Sequence, residues 1–237
     1  MRPAAVPLIG LAHGSRDPRA AVAIDALMRA VAELRPGLST ASAFLDLSEP
    51  NLTDVVGSLS ADRAVVVPLL FAQAFHARVD VPEAVAAAAT AGGVPLETSE
   101  ILGLGPAVLS ALQRAAVAAG VVDTQEILLL AVGTSDDVAN AGVHDLAERW
   151  AALRSAPVRA VFATAAPRVA DVLAEARDTV PAVVSLFLAP GLLLDGVIRR
   201  ADPLGVTVTP PLGTAMAQLV LDRYDAVLAG VSAPTAG

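Results

Sequence analysis

Two of the three histidines in this 237-residue chain stand where a run of apolar residues gives way to a polar turn. His13 follows Pro7-Leu8-Ile9-Gly10-Leu11-Ala12 and leads into Gly14-Ser15-Arg16-Asp17-Pro18. His76 follows Val65-Val66-Val67-Pro68-Leu69-Leu70-Phe71-Ala72-Gln73-Ala74-Phe75 and leads into Ala77-Arg78. Asp46 holds a similar place in Phe44-Leu45-Asp46-Leu47-Ser48-Glu49-Pro50. Imidazole titrates near neutral pH and readily ligates transition metals. Two imidazoles and one carboxylate, with coordination positions left open, suit a divalent first-row metal such as Fe2+ or Co2+. A single strand-end histidine is more often a hydrogen-bonded turn residue, but two with an aspartate at matching edges point to a site. Glu49 competes with Asp46, although it lies nearer the next helix start, where a carboxylate also favours the dipole. Arg16 and Arg78 flank the histidines and either bind carboxylates by paired hydrogen bonds or are solvated. His144 falls in a helical stretch, Ala141–Glu148, and reads as a surface residue.

The elements that must position these residues alternate between strand and helix. Ala5–Ala12 reads as a buried strand. Asp17 then caps a helix with Pro18 at its first turn, and Ile24, Leu27, Met28, Val31 and Leu34 repeat at helical spacing until Pro36-Gly37. Ser39–Leu45 reads as a strand, Asn51–Leu59 as a short helix and Arg63–Phe71 as a valine-rich strand. Pro82–Thr90 reads as a helix, Val94–Thr98 as a strand, and Gly105-Pro106 opens a helix to about Ala119. This alternation implies an α/β fold with a doubly wound parallel sheet of flavodoxin-like topology. In that topology the second and third strands flank the first, so His13, Asp46 and His76 are expected at three neighbouring strand ends. Ligands of such sheets bind outside the carboxyl ends of the strands.

The pattern then recurs. Leu130-Ala131-Val132-Gly133 repeats Leu11-Ala12-His13-Gly14 roughly 119 residues later, and Pro167–Val172 repeats Pro50–Val55. Val184–Ala189 repeats Val67–Ala72, and Leu212-Gly213 repeats Leu102-Gly103. A tandem duplication follows, with expected lobes 1–119 and 125–237 and facing strand ends that would form a cleft. The counterparts of His13, Asp46 and His76 are Val132, Thr164 and Leu193, none of them a metal ligand. The first lobe is therefore expected to be catalytic and the second to wall the pocket.

Composition narrows the function classes. With no cysteine there is no disulfide and no thiol chemistry, and with every one of the 16 basic residues an arginine there is no lysine Schiff base or P-loop lysine. A net charge of −8 disfavours a nucleic-acid partner. No targeting signal or membrane span is evident, so a soluble cytoplasmic protein is expected. A phosphatase of the phosphohistidine type would need an arginine where Ala12 stands, and Ser15 is not in a Gly-x-Ser-x-Gly elbow.

Residue by residue, the chain resembles the sirohydrochlorin chelatase family, the class II chelatases of sirohaem and anaerobic cobalamin synthesis. The resemblance is carried by His13-Gly14-Ser15-Arg16, by Phe44–Pro50, and by Pro68–Phe71 running through His76-Ala77-Arg78 to Asp80-Val81-Pro82-Glu83, and the two-lobe length resembles the long, duplicated form. It implies a lyase that inserts a divalent metal into the tetrapyrrole sirohydrochlorin with neither ATP nor an organic cofactor. His13, Asp46 and His76 would be the metal ligands, Asp46 being one methylene shorter than the glutamate of many relatives. His13 and His76 would be catalytic, holding or passing the metal while accepting pyrrole protons. Gly14, Ser15, Arg16 and Arg78 would orient the substrate's carboxylates, and Phe71, Phe75, Leu192 and Leu193 would contact the macrocycle. Iron is the expected metal and cobalt the alternative; a tetrapyrrole or metal carrier without turnover is the rival class. Gly230–Gly237 holds no histidine-rich tail, and the internal duplication implies a monomer.

Overall fold

In the computed structural model, residues 6–72, 79–175 and 180–230 are described. The chain forms two compact units, one of residues 1–103 with 213–237 and the other of residues 104–212. Each is built on a parallel sheet, as the strand–helix alternation predicts.

In the first unit the strands are β1 (Leu8–Ala12), β2 (Thr40–Phe44), β3 (Ala64–Pro68) and β4 (Leu96–Thr98). Their order is β2-β1-β3-β4, all parallel. Every residue of β1 and β3 is buried, because helices cover both faces of the sheet and a parallel strand then needs apolar residues throughout. On one face, Ile9, Leu11, Ala43 and Val66 pack against α2 (Leu52–Gly57) and α3 (Val81–Gly92) through Val55, Val56, Val81 and Ala88. On the other lies α1 (Pro18–Leu34), which buries Ile24, Leu27, Met28 and Val31. Gly10 explains its close approach: a Cβ there would stand 2.4 Å from Met28 Sδ.

The start of α1 follows from local chemistry. The Asp17 carboxylate accepts from Arg19 N–H at 3.0 Å, and Pro18 takes a position whose amide would have no helical partner. The same carboxylate receives the Arg19 guanidinium through Nε and Nη2.

In the second unit, β5 (Ile127–Ala131) lies between β6 (Val158–Phe162) and β7 (Ala182–Ser185). A single bridge, Val183 to Val208, stands where the first unit has β4. Around this sheet are α4 (Pro106–Ala118), α5 (Asp137–Ala151), α6 (Val169–Glu175) and α7 (Leu192–Ala201). The duplication extends to individual bonds. Leu45 N–H donates to Ala12 O, and Ala163 N–H to Ala131 O, each at 2.9 Å. Leu69 N–H donates to Leu11 O, and Leu186 N–H to Leu130 O, each at 2.8 Å.

The compact units differ from the expected contiguous lobes by one exchange. Although α4 precedes position 119, it packs with the second unit beside β7. The final helix, α8 (Ala217–Leu228), packs with the first unit on α1 and β3. Specific polar contacts hold α8 there. Tyr224 Oη donates to Val6 O at 2.7 Å, Arg35 makes a two-bond pair with Asp225, and Arg223 donates to the carbonyls of Ile101 and Leu102. Burial pushes the Tyr224 phenol upward in pKa. Among the described residues no helix is long and apolar enough to cross a membrane.

These contacts differ in expected weight. Tyr224→Phe removes the donor from the Val6 carbonyl and is expected to lower the unfolding free energy by about 1 kcal/mol. Asp225→Asn acts on an ion pair whose side chains are 38% and 45% exposed, and is expected to change it by less than about 1 kcal/mol. Urea unfolding followed by far-ultraviolet circular dichroism checks both.

Candidate metal centre at the strand ends of the first unit

The carboxyl ends of β1 and β2 bring His13 and Asp46 together. Ala12 and Phe44 are register partners, and one step beyond them Asp46 N–H donates to His13 O at 2.9 Å. His13 is half-buried, with its Nδ1 atom inside, whereas Asp46 is exposed. Between them Gly14 has φ +99°, and a Cβ on it would lie 1.6 Å from Asp46 O. Only glycine fits a position that combines a left-handed backbone with so close an approach.

Asp46 opens a tight three-residue turn. Ser48 N–H donates to Asp46 O at 2.8 Å across Leu47, which adopts φ +61°. Leu47 N–H donates to the Asp46 carboxylate at 2.7 Å. Glu49, the competing carboxylate, accepts from Asn51 N–H at 3.0 Å, at the start of α2. This bond places Glu49 beside Asn51, the cap of α2.

His76 and Arg78 lie in 73–78, outside the described residues, as does Phe75. The strand leading toward them is described: β3 pairs with β1 on the side opposite β2, with Leu11 opposite Pro68. Arg16 is exposed and Phe71 half-buried. Ser15 N–H donates to Ser48 Oγ at 3.0 Å, so this amide is committed within the protein. Among the described residues, no group of three histidine, cysteine, aspartate or glutamate side chains is placed to hold a metal. His13 and Asp46, one imidazole-bearing and one carboxylate-bearing residue, are joined through their backbones at adjacent strand ends.

In the second unit, Thr164 N–H donates to Val132 O at 2.9 Å, the bond that joins Asp46 to His13 in the first. Val132 and Leu193 are each 44% exposed. His144 is exposed on α5, its ring meeting Phe162 edge-on at 5.5 Å between centroids. Ser48 is a contributor that sequence spacing did not single out. A serine in a polar turn carries no distinctive signal until its partner across the sheet is known.

Two predictions follow from this geometry. Gly14→Ala forces a methyl group into the Asp46 carbonyl and is expected to lower stability by about 1–3 kcal/mol, read as a reduced melting temperature. An unchanged melting temperature would contradict the placement. Asp17 lies at the end of the same turn, and its hydrogen bonds from Arg19 hold the carboxyl below its usual pKa. With the folded value depressed, its stabilisation is present above the unfolded value of about 3.9 and lost as pH falls through the folded one. Asp17→Asn, which keeps a capping oxygen, should therefore flatten the acid limb of the stability–pH curve in urea titrations.

The CbiX family model matches the chain twice, over residues 7–119 and 126–227. SirB from Bacillus subtilis with Fe3+ has the same fold at a TM-score of 0.81 and 21% identity, covering 95% of this chain and 96% of that one. The sirohydrochlorin chelatase SirB from Bacillus subtilis subspecies spizizenii, in complex with cobalt, gives 0.76 and 22%, covering 93% and 94%. CbiX, described as the terminal enzyme for biosynthesis of siroheme in denitrifying bacteria, gives 0.71 and 22%, covering 93% and 98%. No curated protein sequence matches the chain. The structural likeness establishes the fold, the family model spans both repeats, and the chain belongs to the CbiX family.

Proposed function

We propose that this protein is a sirohydrochlorin chelatase that inserts Fe2+ into its tetrapyrrole substrate without ATP, yielding sirohaem and two protons. The observation that carries the reading is the juxtaposition of His13 and Asp46 at adjacent strand ends in a member of the CbiX family. His76 would complete the metal-binding set from the segment after β3. In this reading the metal is a substrate in transit. Imidazole and carboxylate ligands with open positions bind a first-row ion while leaving room for the incoming pyrrole nitrogens.

Metallation requires two pyrrole N–H protons to leave as the metal enters. His13 and His76 would accept protons, because an imidazole pKa lies close to the working pH. Asp46 would neutralise charge on the metal. Sirohydrochlorin carries carboxylates around its rim, and Arg16 and Arg78 flank the histidines with guanidinium groups suited to paired hydrogen bonds. The Gly14–Ser15 turn would set the approach of that rim. Cobalt is a second reading, favoured by the cobalt complex of one structural relative beside the Fe3+ form of another. The protein would act as a cytoplasmic monomer with one site per chain, since the second unit has no ligand at the counterparts of the three positions.

Anaerobic absorbance spectroscopy of sirohydrochlorin with Fe2+ or Co2+ tests the proposal. Wild type is expected to accelerate metallation, and His13→Ala and His76→Ala to lose about 100-fold or more while remaining folded. Tetrapyrrole binding with no acceleration by either metal would overturn catalysis in favour of a carrier.

A further inference from the structure

We infer that Ser48 is a positioning residue for the metal centre, holding the His13 turn and the Asp46 turn at a fixed separation; this rests on the chelatase reading above. The two turns are joined at two rungs. At the first, Asp46 N–H donates to His13 O at 2.9 Å. At the second, two residues along each chain, one hydroxyl serves both backbone groups of Ser15. Ser48 Oγ accepts from Ser15 N–H at 3.0 Å and donates to Ser15 O at 2.9 Å. Ser15 Oγ in turn accepts from Asp17 N–H at 3.1 Å, at the cap of α1. The Asp46 turn is thus tied through Ser48 and Ser15 to the start of a 17-residue helix.

The second unit solves the same problem differently. There the Thr164 hydroxyl shares its one proton between the carbonyls of Val132 and Gly133, at 2.8 and 3.0 Å. Thr164 is the counterpart of Asp46, since both donate their amide across the strand ends at 2.9 Å. In the unit without ligands, the hydroxyl that clips the turns therefore occupies the position where the first unit carries its carboxylate. The first unit has five residues between Phe44 and Pro50, against four between Phe162 and Pro167. The longer loop moves the clip two positions on, to Ser48, and leaves residue 46 to present an exposed carboxylate.

The longer loop places Leu47 at φ +61°, unfavourable for a residue with a Cβ. The bonds of the Ser48 hydroxyl oppose relaxation of that residue. Without them, Leu47 is expected to return toward negative φ and shift the Asp46 turn relative to the His13 turn. Ser48 does not touch the metal; it acts through the backbone geometry of His13 and Asp46.

The test is an anaerobic titration of the full chain with Co2+ alone, followed by the ligand-field absorbance bands of the bound ion. Loss of a group that orients a metal ligand typically weakens binding about 10–100-fold. Ser48→Ala is expected to weaken Co2+ binding by at least about 10-fold and to alter the band pattern, and Ser48→Thr to restore both. If Ser48→Ala does not fold, Leu47→Gly/Ser48→Ala relieves the positive φ and is expected to show the same loss. Wild-type affinity in either alanine variant, or no rescue by Ser48→Thr, overturns the inference. A wild-type protein whose Co2+ titration is identical to that of His13→Ala overturns the metal centre itself, a result separate from failure of the clip.

Discussion

The close passage of one backbone over another at Gly14 is the constraint around which the candidate site is arranged. The Asp46 carbonyl occupies the space where any other residue at position 14 would place a side chain. Because it can sit there, β2 can continue past its last sheet bond and donate once more, from Asp46 to His13. His13 and Asp46 are thereby held on adjacent backbones just beyond the ends of β1 and β2. The sheet supplies the rest of the precision. β1 is buried along its length, flanked by β2 and β3, and covered by α1 on one face and by α2 and α3 on the other. A side chain on such a strand end inherits the rigidity of the core beneath it.

Much of this arrangement was readable from residues whose physical meaning is local. Asp17 and Pro18 mark the start of α1 by capping and by a missing amide, and the structure begins the helix there. The apolar runs at Leu8–Ala12 and Ala64–Pro68 admit no face toward water, which identifies central parallel strands before any coordinates. Other features depended on contacts distant in sequence. Nothing in the pattern of Ala217–Leu228 distinguishes a helix packing on its own repeat from one packing on the other, since both sheets offer similar apolar surfaces. Tyr224 and Arg223 decide it, through bonds to Val6, Ile101 and Leu102. Ser48 was hidden for the same reason, its partner lying 33 residues away.

The two repeats show how one scaffold divides structural from chemical work. Both hold their first two strand ends together with a backbone bond and a side-chain hydroxyl. In the second unit one residue, Thr164, provides both, and no charged group is presented there. In the first unit the tasks fall on Asp46 and Ser48, and a carboxylate becomes possible at the strand end. The extra residue in that loop is what separates the two roles.

The exchange of the final helices also sets an order of assembly. Synthesis proceeds from the N-terminus, and domains generally fold as units when their residues have emerged. Residues 104–212 form a continuous stretch, so the second unit is complete while the chain is still being made. The unit bearing His13 and Asp46 waits for α8, which belongs to its packing but follows the whole of the second unit in the chain. Until α8 is made, the strand ends that bring His13 and Asp46 together lack part of their packing, whereas those of Val132 and Thr164 do not.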